Sequence, residues 1–514
     1  MENQSHLSIS SRFSASLIFT ILRGIINLFT GVLIARWLGP EDYGRMAFLL
    51  AIFISFKQLV DMSSSSAFFT FLSQRSRSKK FVAYYWFWVG FQFSIAFVVV
   101  ALLLPDDLVS LIWMGESRFL VILALTAVFM QSHVWNNVVQ MAESQRKTFA
   151  VQKINTLVVL LHLITLSILW MLDRLVLPLI FSILIIEWAI ASLLASRLYN
   201  TNDSNIKASS KSCDTPLSVT KEFLGYCMPF IPYVWLSFAH VFADRWLLQY
   251  WGGAAEQAYF AVALQFSAII LLATTSILKI FWKEVAEAHH KREFKRLEDL
   301  YRNTLKRLYF FSAFLCAAFF AWSDEIGLMI FGDEYLDGLL AFTLMLLYPV
   351  HQSMGQIGST MLYATEQSTI QVKIGLWFMA SSLIVVYFVL APKDAFIPGL
   401  EMGSEGLALK MLVLQLVQVN AIAWFISKIY NWKFDWLYQF TILGFLIALG
   451  IGVKALVINV LSANVIVLIS IAGFFYTFVV LLMIYMMPRL INIDKELIRN
   501  AIVKCKFQRL KGVE

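Results

Sequence analysis

Residues 23–43 read RGIINLFTGVLIARWLGPEDY, a membrane-length apolar helix with an arginine inside it, ending in a Gly-Pro turn and an acidic step. Polar residues recur through this helix at Ser16, Thr20, Arg23, Asn27 and Thr30, spaced by four, three, four and three, the period of one helix face. A charge at the bilayer centre costs about 2.5–3.5 kcal/mol even on the mildest scale. A helix facing only lipid would not be built this way. The first span is therefore expected to present a wet, positively charged stripe to something inside the membrane.

Working outward, the chain has 514 residues, of which 59% are hydrophobic and only 14% charged. Soluble domains carry roughly 25% charged residues, and the mean hydropathy here is +0.72. These values define an all-α integral membrane protein. The alternating segments of about 10 residues that build a β-barrel are absent from the sequence. No cleavable signal peptide is read, because the chain is polar through Ser11 and no small-residue cleavage site precedes the first apolar run. Cys213, Cys227, Cys316 and Cys505 have neither metal-ligand spacing nor a disulfide framework, and no cofactor or metal is expected. The net charge of +8 does not call for nucleic acid, since almost every basic cluster lies beside a helix end.

About fourteen largely apolar segments can be read, six between 14 and 197 and eight between 222 and 487. They suggest an N-terminal six-helix bundle at 1–198, a cytoplasmic linker at 199–219, and a second six-helix bundle at 220–430. Two further helices follow at 431–487, then a basic cytoplasmic tail at 488–514. Basic loops (Arg75, Arg77, Lys79 and Lys80; Arg146 and Lys147; Lys207, Lys211 and Lys221; the stretch 283–307) alternate with acidic ones (Glu41-Asp42, Asp106-Asp107, and Asp324 to Asp337). By the positive-inside rule both termini are cytoplasmic. The 283–307 connection and the tail, with Leu490, Ile493, Leu497 and Ile498 on one side, read as amphipathic interfacial helices. No loop is long enough for a folded domain on the opposite face.

The chain weakly resembles itself. LIARWLGPEDYGRMAFLLAIF at 33–53 is echoed by FADRWLLQYWGGAAEQAYFAVALQF at 242–266, and parallel repeats of this kind place a substrate site between two halves. IARWLGPEDYG at 34–44, Asp244-Arg245 before a short glycine loop, LYATEQSTIQVKIGLWFMASSLIVVYFVLAP at 362–392 and QMAESQRKTFA at 140–150 carry a wider resemblance. The sequence resembles the bacterial polysaccharide transporters of the O-antigen flippase type, within the multidrug/oligosaccharidyl-lipid/polysaccharide exporter superfamily. Two positions depart from the family pattern: Glu366, and Asp61 followed by Met62 and four serines. The resemblance implies a bacterial cytoplasmic (inner) membrane location, a polyprenyl-pyrophosphate carrier for the glycan, and a polysaccharide polymerase and other assembly proteins as partners.

Charges and amides inside the spans supply the candidate residues. Arg23, Lys57 and Arg245 are expected to attract phosphate or acidic sugars, with Asn27, Asn137 and Gln356 as polar contacts. Asp244, Glu187 and Asp61 are candidates for coupling to H+ or Na+, since no Walker loop or nucleotide-binding domain is present. Each has a structural alternative: Lys57 and Asp61 are spaced to neutralise each other, and Glu187 either pairs with a cation across the bundle or is protonated. Tyr233, Ser237, His240 and Asp244 share one face of the seventh span, and His133, Asn136, Asn137 and Gln140 that of the fourth. Such stripes on several spans suggest an aqueous cavity. The reading is a flippase that moves a lipid-linked oligosaccharide between leaflets by alternating access. A drug/cation antiporter of the same superfamily would prefer acidic cavity residues and about twelve helices. A membrane glycan polymerase or glycosyltransferase would need a sizeable outer loop, and Glu41-Asp42 is read as a turn rather than a catalytic acid pair.

Overall fold

The structure is a computed structural model that describes residues 9–74, 77–145, 147–198 and 215–492. The linker residues 199–214, the tail 493–514, Arg75 and Arg146 lie outside the described residues, and with them Cys213, Cys505, and Ile493, Leu497 and Ile498 of the proposed apolar face of the tail.

Helix α1 (Ile9–Asp61) runs for 53 residues, roughly 80 Å at 1.5 Å per residue, against a hydrocarbon core of about 30 Å. It spans that core only as two arms, and the break is at Gly39 (φ 71°, ψ 171°). A side chain resists that φ, whereas glycine does not. Pro40 then opens the second arm, where its missing N–H removes no helical hydrogen bond. The second arm ends at Asp61. Met62 and Ser63 have φ of 44° and 67°, and α2 (Ser64–Gln74) resumes the helix.

Helix α3 (Lys79–Val98), capped by Ser78, closes in a π-helical turn at Val99–Leu103. After the short α4 (Asp106–Ile112), α5 (Arg118–Phe129) passes through a second π-helical turn, Met130–Val134, into α6 (Trp135–Ser144). Helices α7 (Thr148–Met171) and α8 (Leu177–Ser196) follow as uninterrupted rods. Helix α9 (Pro216–Cys227), with a capping box on Thr215, leads into α10 (Ile231–His290). That helix repeats the design of α1, being 60 residues long with a break at Gly253 (φ 83°). Both glycine breaks fall inside the two stretches that resemble each other in sequence.

The remaining helices are α11 (Phe294–Ala321), α12 (Ser323–Phe331), α13 (Leu339–Met345), α14 (Tyr348–Ala364), α15 (Ser368–Leu390), α16 (Gly403–Tyr430), α17 (Trp436–Val460) and α18 (Val465–Met486). Eleven helices among the described residues are long and apolar enough to cross a membrane. Counted as continuous helices these are fewer than the fourteen apolar segments of the sequence, which take the arms of a broken helix one by one. The two glycine-broken helices each carry two arms, and the apolar run 336–364 is split at Leu346-Leu347 between α13 and α14. The basic stretch 283–307 also differs from expectation. It is no separate interfacial helix but the end of α10 and the start of α11, joined by a turn at Arg292 (φ 57°). Lys291 bonds Glu287 at 2.6 Å there, and Arg296 bonds Glu284 at 2.7 Å.

The chain divides into two units, residues 1–262 with 379–407, and residues 263–378 with 408–514. Inside the first, the arms of α1 pack on α5 and α7, and α8 packs on α5, α6 and α7. Its best-sealed part is aromatic: Phe68 stacks on Tyr85 at 3.7 Å between ring centres, and Phe71, Phe81 and Phe223 close around them. Inside the second, α11 packs on α14 and α17. There Asn420 and Gln439 exchange amide hydrogen bonds in a buried pair, and the Tyr309 hydroxyl donates to the Gln439 carbonyl at 2.9 Å. Interhelical bonds of this kind replace the hydrophobic drive that lipid removes.

Candidate functional site

Breaking a helix at mid-span strands the last carbonyls of one half and the first N–H groups of the next. In lipid each stranded group costs several kcal/mol, so the break at residues 61–63 must be internally satisfied. Asp61 serves the N–H side. Its Oδ1 accepts from the Ser65 amide at 3.0 Å and the Ser64 hydroxyl at 2.8 Å, and its Oδ2 accepts from the Ser65 hydroxyl at 2.7 Å. Gln92 serves the carbonyl side, donating from Nε2 to the Val60 oxygen at 2.8 Å. The Gln92 Oε1 in turn lies 3.1 Å from His133 Nε2, on the π-helical turn of the fourth span. The run Asp-Met-Ser-Ser-Ser-Ser, a departure from the family pattern in the sequence, is thus the cap of a broken helix.

Lys57 Nζ lies 4.0 Å from Asp61 Oδ2, one turn earlier on the same arm. Asn137 is fully buried and accepts from the Tyr85 hydroxyl at 2.9 Å, on the ring that stacks against Phe68 of α2. Lys57, Asp61 and Asn137 therefore gather around the break. Loss of the cap should be visible in stability. Asp61→Ala removes the acceptor of one amide and two hydroxyls, an expected loss of about 2–4 kcal/mol. Asp61→Asn, which keeps one acceptor oxygen, should lose less. A melting curve of the detergent-purified protein checks this, and equal melting of Asp61→Ala and the unaltered protein would remove the capping role.

The other candidates sit apart from this cluster. Arg23 is half-buried on the first arm of α1; its guanidinium donates to Gln152 of α7 and to the Thr20 hydroxyl at 3.4 Å. Along the same stripe Asn27 is exposed, whereas the Thr30 hydroxyl turns back to the Ile26 carbonyl at 2.8 Å. Glu187 on α8 is not alone in the membrane: His162 Nδ1 of α7 lies 2.7 Å from its Oε2. Asp244 is buried with His240 Nε2 at 3.6 Å. Arg245 reaches across the Gly253 break, donating to Gln257 Oε1 at 3.1 Å with its guanidinium 4.6 Å from the Phe260 ring centre. Gln356 lies on α14, in the second unit.

At the Gly39 break, Asp42 and Glu116 are both taken by Arg45, at 2.8 Å and 2.6 Å. The Trp246 indole donates to the Ile112 carbonyl at 3.1 Å. Gly44 meets the backbone of Ala254 so closely that a Cβ would overlap the Ala254 carbonyl. Beside the far end of α2, Arg77 forms a two-pronged pair with Glu222 of α9, at 2.9 and 2.5 Å, and its guanidinium lies over Phe81 at 4.5 Å. This arginine was legible only as one of several loop charges. Arg77→Ala leaves Glu222 without its partner and uncovers two rings, an expected loss of about 2–4 kcal/mol. Arg77→Lys should recover less than half of that in a melting experiment; full recovery would show that charge alone matters there.

Gln92 and Gln152 were missed on the sequence. Each is one amide in an apolar or mixed run, and only the signal of a polar residue amid aromatics (WFWVGFQFSIAF, 86–97) could have marked Gln92. Lys410 of α16 was missed as well, and it is 3% exposed.

Membrane-length helices broken at mid-span, with charges held inside, define a class by architecture: multi-pass helical membrane proteins with discontinuous helices. The profile of the polysaccharide biosynthesis protein family matches residues 33–339, and the chain belongs to that family. No curated protein matched on sequence. Among solved structures, the fold is similar to that of "Lipid II flippase MurJ, inward closed conformation", with TM-score 0.65 and 15% identity over 90% of this chain and 97% of that one. An inward-facing multidrug resistance MATE family transporter of the MOP superfamily aligns with TM-score 0.57 and 13% identity over 82% and 98%. A MOP superfamily transporter from Pyrococcus furiosus aligns with TM-score 0.52 and 11% identity over 82% and 96%. At these identities the fold is what is shared.

Proposed function

We propose that the protein is a flippase that carries a polyprenyl-pyrophosphate-linked oligosaccharide across a bacterial cytoplasmic membrane by alternating access. The physical problem is to move a glycan and two phosphates through hydrocarbon while the prenyl tail stays in lipid. Positive charge held within the membrane lowers that barrier. The observation that carries the reading is Arg23, a half-buried guanidinium inside a membrane span, bonded to the neutral groups of Gln152 and Thr20 with Glu143 as the nearby acid, in a chain of the polysaccharide biosynthesis family. A guanidinium bonded to amide and hydroxyl oxygens keeps its charge available for phosphate. Lys57 and Arg245 add positive charge, and Asn27, Asn137 and Gln356 are the proposed polar contacts. Both termini are assigned to the cytoplasm, with 1–198 and 220–430 as the two bundles.

With no nucleotide-binding motif in the sequence, an H+ or Na+ gradient is the proposed energy source. Asp61, Asp244 and Glu187 are the proposed coupling acids. Asp61 is the strongest of them for conformational work, since the same carboxylate caps the broken helix. A polymerase and other assembly proteins are the proposed partners. The MATE-like fold alone does not separate a glycan carrier from a drug antiporter; the charge does. A binding titration with polyprenyl pyrophosphate and with a hydrophobic cation separates the two. The flippase reading expects the anion to bind and the cation not to, and the reverse order of affinity would overturn it.

A further inference from the structure

We infer that the cavity between the broken second span and residues 226–237 binds an uncharged sugar ring, the glycan end of the cargo; the inference rests on the reading of the protein as a carrier of a lipid-linked oligosaccharide. The cavity holds about 360 Å³, within the range of roughly 300–1,000 Å³ for small-molecule pockets. From α2 and the break come Asp61, Ser63 and Ser66; from α9 and α10 come Tyr226, Tyr233 and Ser237. Gln58, Val234 and the Phe230 ring complete the wall. It joins two features that were separate in the sequence, the serine run after Asp61 and the Tyr233–Ser237 face of the seventh span.

The lining selects a chemistry. Hydroxyls and an amide offer both donors and acceptors, and aromatic rings offer flat apolar faces beside them. A sugar ring has the matching parts, hydroxyls around its rim and C–H groups on its faces. A phosphate would meet no cation in this wall and would face the Asp61 carboxylate. A cationic drug would find that carboxylate already accepting three hydrogen bonds, with Lys57 at 4.0 Å. A prenyl chain would cover these polar groups without bonding to them. A second cavity beside the break, of about 400 Å³, is lined by Leu59, Met62, Trp88, Phe91, Trp235 and Phe238, with Gln92 its single amide. The hydroxyl lining therefore belongs to the first cavity.

Two probes test the site on the full-length purified protein: polyprenyl pyrophosphate, and the same carrier bearing a single N-acetylhexosamine. The unaltered protein is expected to bind the sugar-bearing carrier about tenfold more tightly than the bare one. Ser66→Trp, which fills the cavity from an exposed position, and Tyr233→Ala, which removes a ring, should each erase that preference and leave affinity for the bare carrier unchanged. Tyr233→Phe, which keeps the ring, should retain part of it. Persistence of the full preference in both Ser66→Trp and Tyr233→Ala would overturn the site while leaving the flippase reading intact. Failure of the bare carrier to bind the unaltered protein would instead overturn the reading on which the site rests. Loss of the preference in the presence of tetraphenylphosphonium, with that cation itself displaced by Ser66→Trp, would overturn the sugar assignment in favour of a cation site.

Discussion

Arg23→Ala is expected to abolish glycan export at unchanged protein level. The side chain sits inside a membrane span, bonded to Gln152 and Thr20, and losing one partner of a desolvated charge pair costs about 2–5 kcal/mol. That range corresponds to roughly thirty-fold or more in affinity, enough to stop net movement of a pyrophosphate-bearing cargo. Stability should change less than export, because Gln152 and Thr20 are neutral and can bond to backbone or water, and only Glu143 loses a nearby positive charge. Arg23→Lys should be intermediate, since an ammonium keeps the charge without the planar fork. Surface glycan staining beside an immunoblot of the membrane fraction checks both variants. Normal export by Arg23→Ala would remove the residue from the transport path.

Gly44→Val is expected to have the second large effect. Gly44 lies five residues beyond the Gly39 break, and a Cβ there would overlap the Ala254 carbonyl, one residue past the Gly253 break. Both sides of this contact are backbone, so a side chain cannot be accommodated by a change of rotamer. Overpacking typically costs about 1–3 kcal/mol, and every 1.4 kcal/mol shifts a two-state balance about tenfold. The arrangement in which the two glycine breaks touch should therefore lose most of its population. On the proposed orientation these breaks face outward, so the variant should favour the outward-open state and transport should fall about tenfold or more. Thiol labelling of Ile112→Cys, next to the Trp246 bond, should speed up in the Gly44→Val background. Unchanged labelling and unchanged transport would show that the close approach is incidental.

Much of the architecture could be read in the amino acids because its signals are local. A Gly-Pro step ending an apolar run predicts where α1 breaks, and the echo of that stretch at 242–266 predicts the break in α10. The break at Asp61–Ser63 was not legible, since serine and methionine do not by themselves stop a helix. Asp61 caps one side of it, but the other side is held by Gln92, 32 residues from the Val60 carbonyl it bonds, and that distance in the chain carries no periodic signal. The same holds for Glu187, which was legible as a carboxylate in need of a partner, but not as the partner of His162. Arg245 is different again. Its contacts with Gln257 and Phe260 exist because the Gly253 break folds two arms together, whereas a helical-wheel reading treats each arm alone. The cavity residues were found as two stripes, and only the packing of α9 and α10 beside the broken span joined them.

The central claim is that the protein moves a lipid-linked glycan between leaflets and makes no new bond. Purified protein in vesicles, with a fluorescent polyprenyl-pyrophosphate-linked oligosaccharide in both leaflets, tests it by quenching from outside. The account predicts that an imposed H+ or Na+ gradient changes the quenchable fraction, that Arg23→Ala abolishes the change, and that the recovered glycolipid keeps its original mass. A quenchable fraction that stays fixed under either gradient, or a glycolipid recovered with added sugar units, would contradict it.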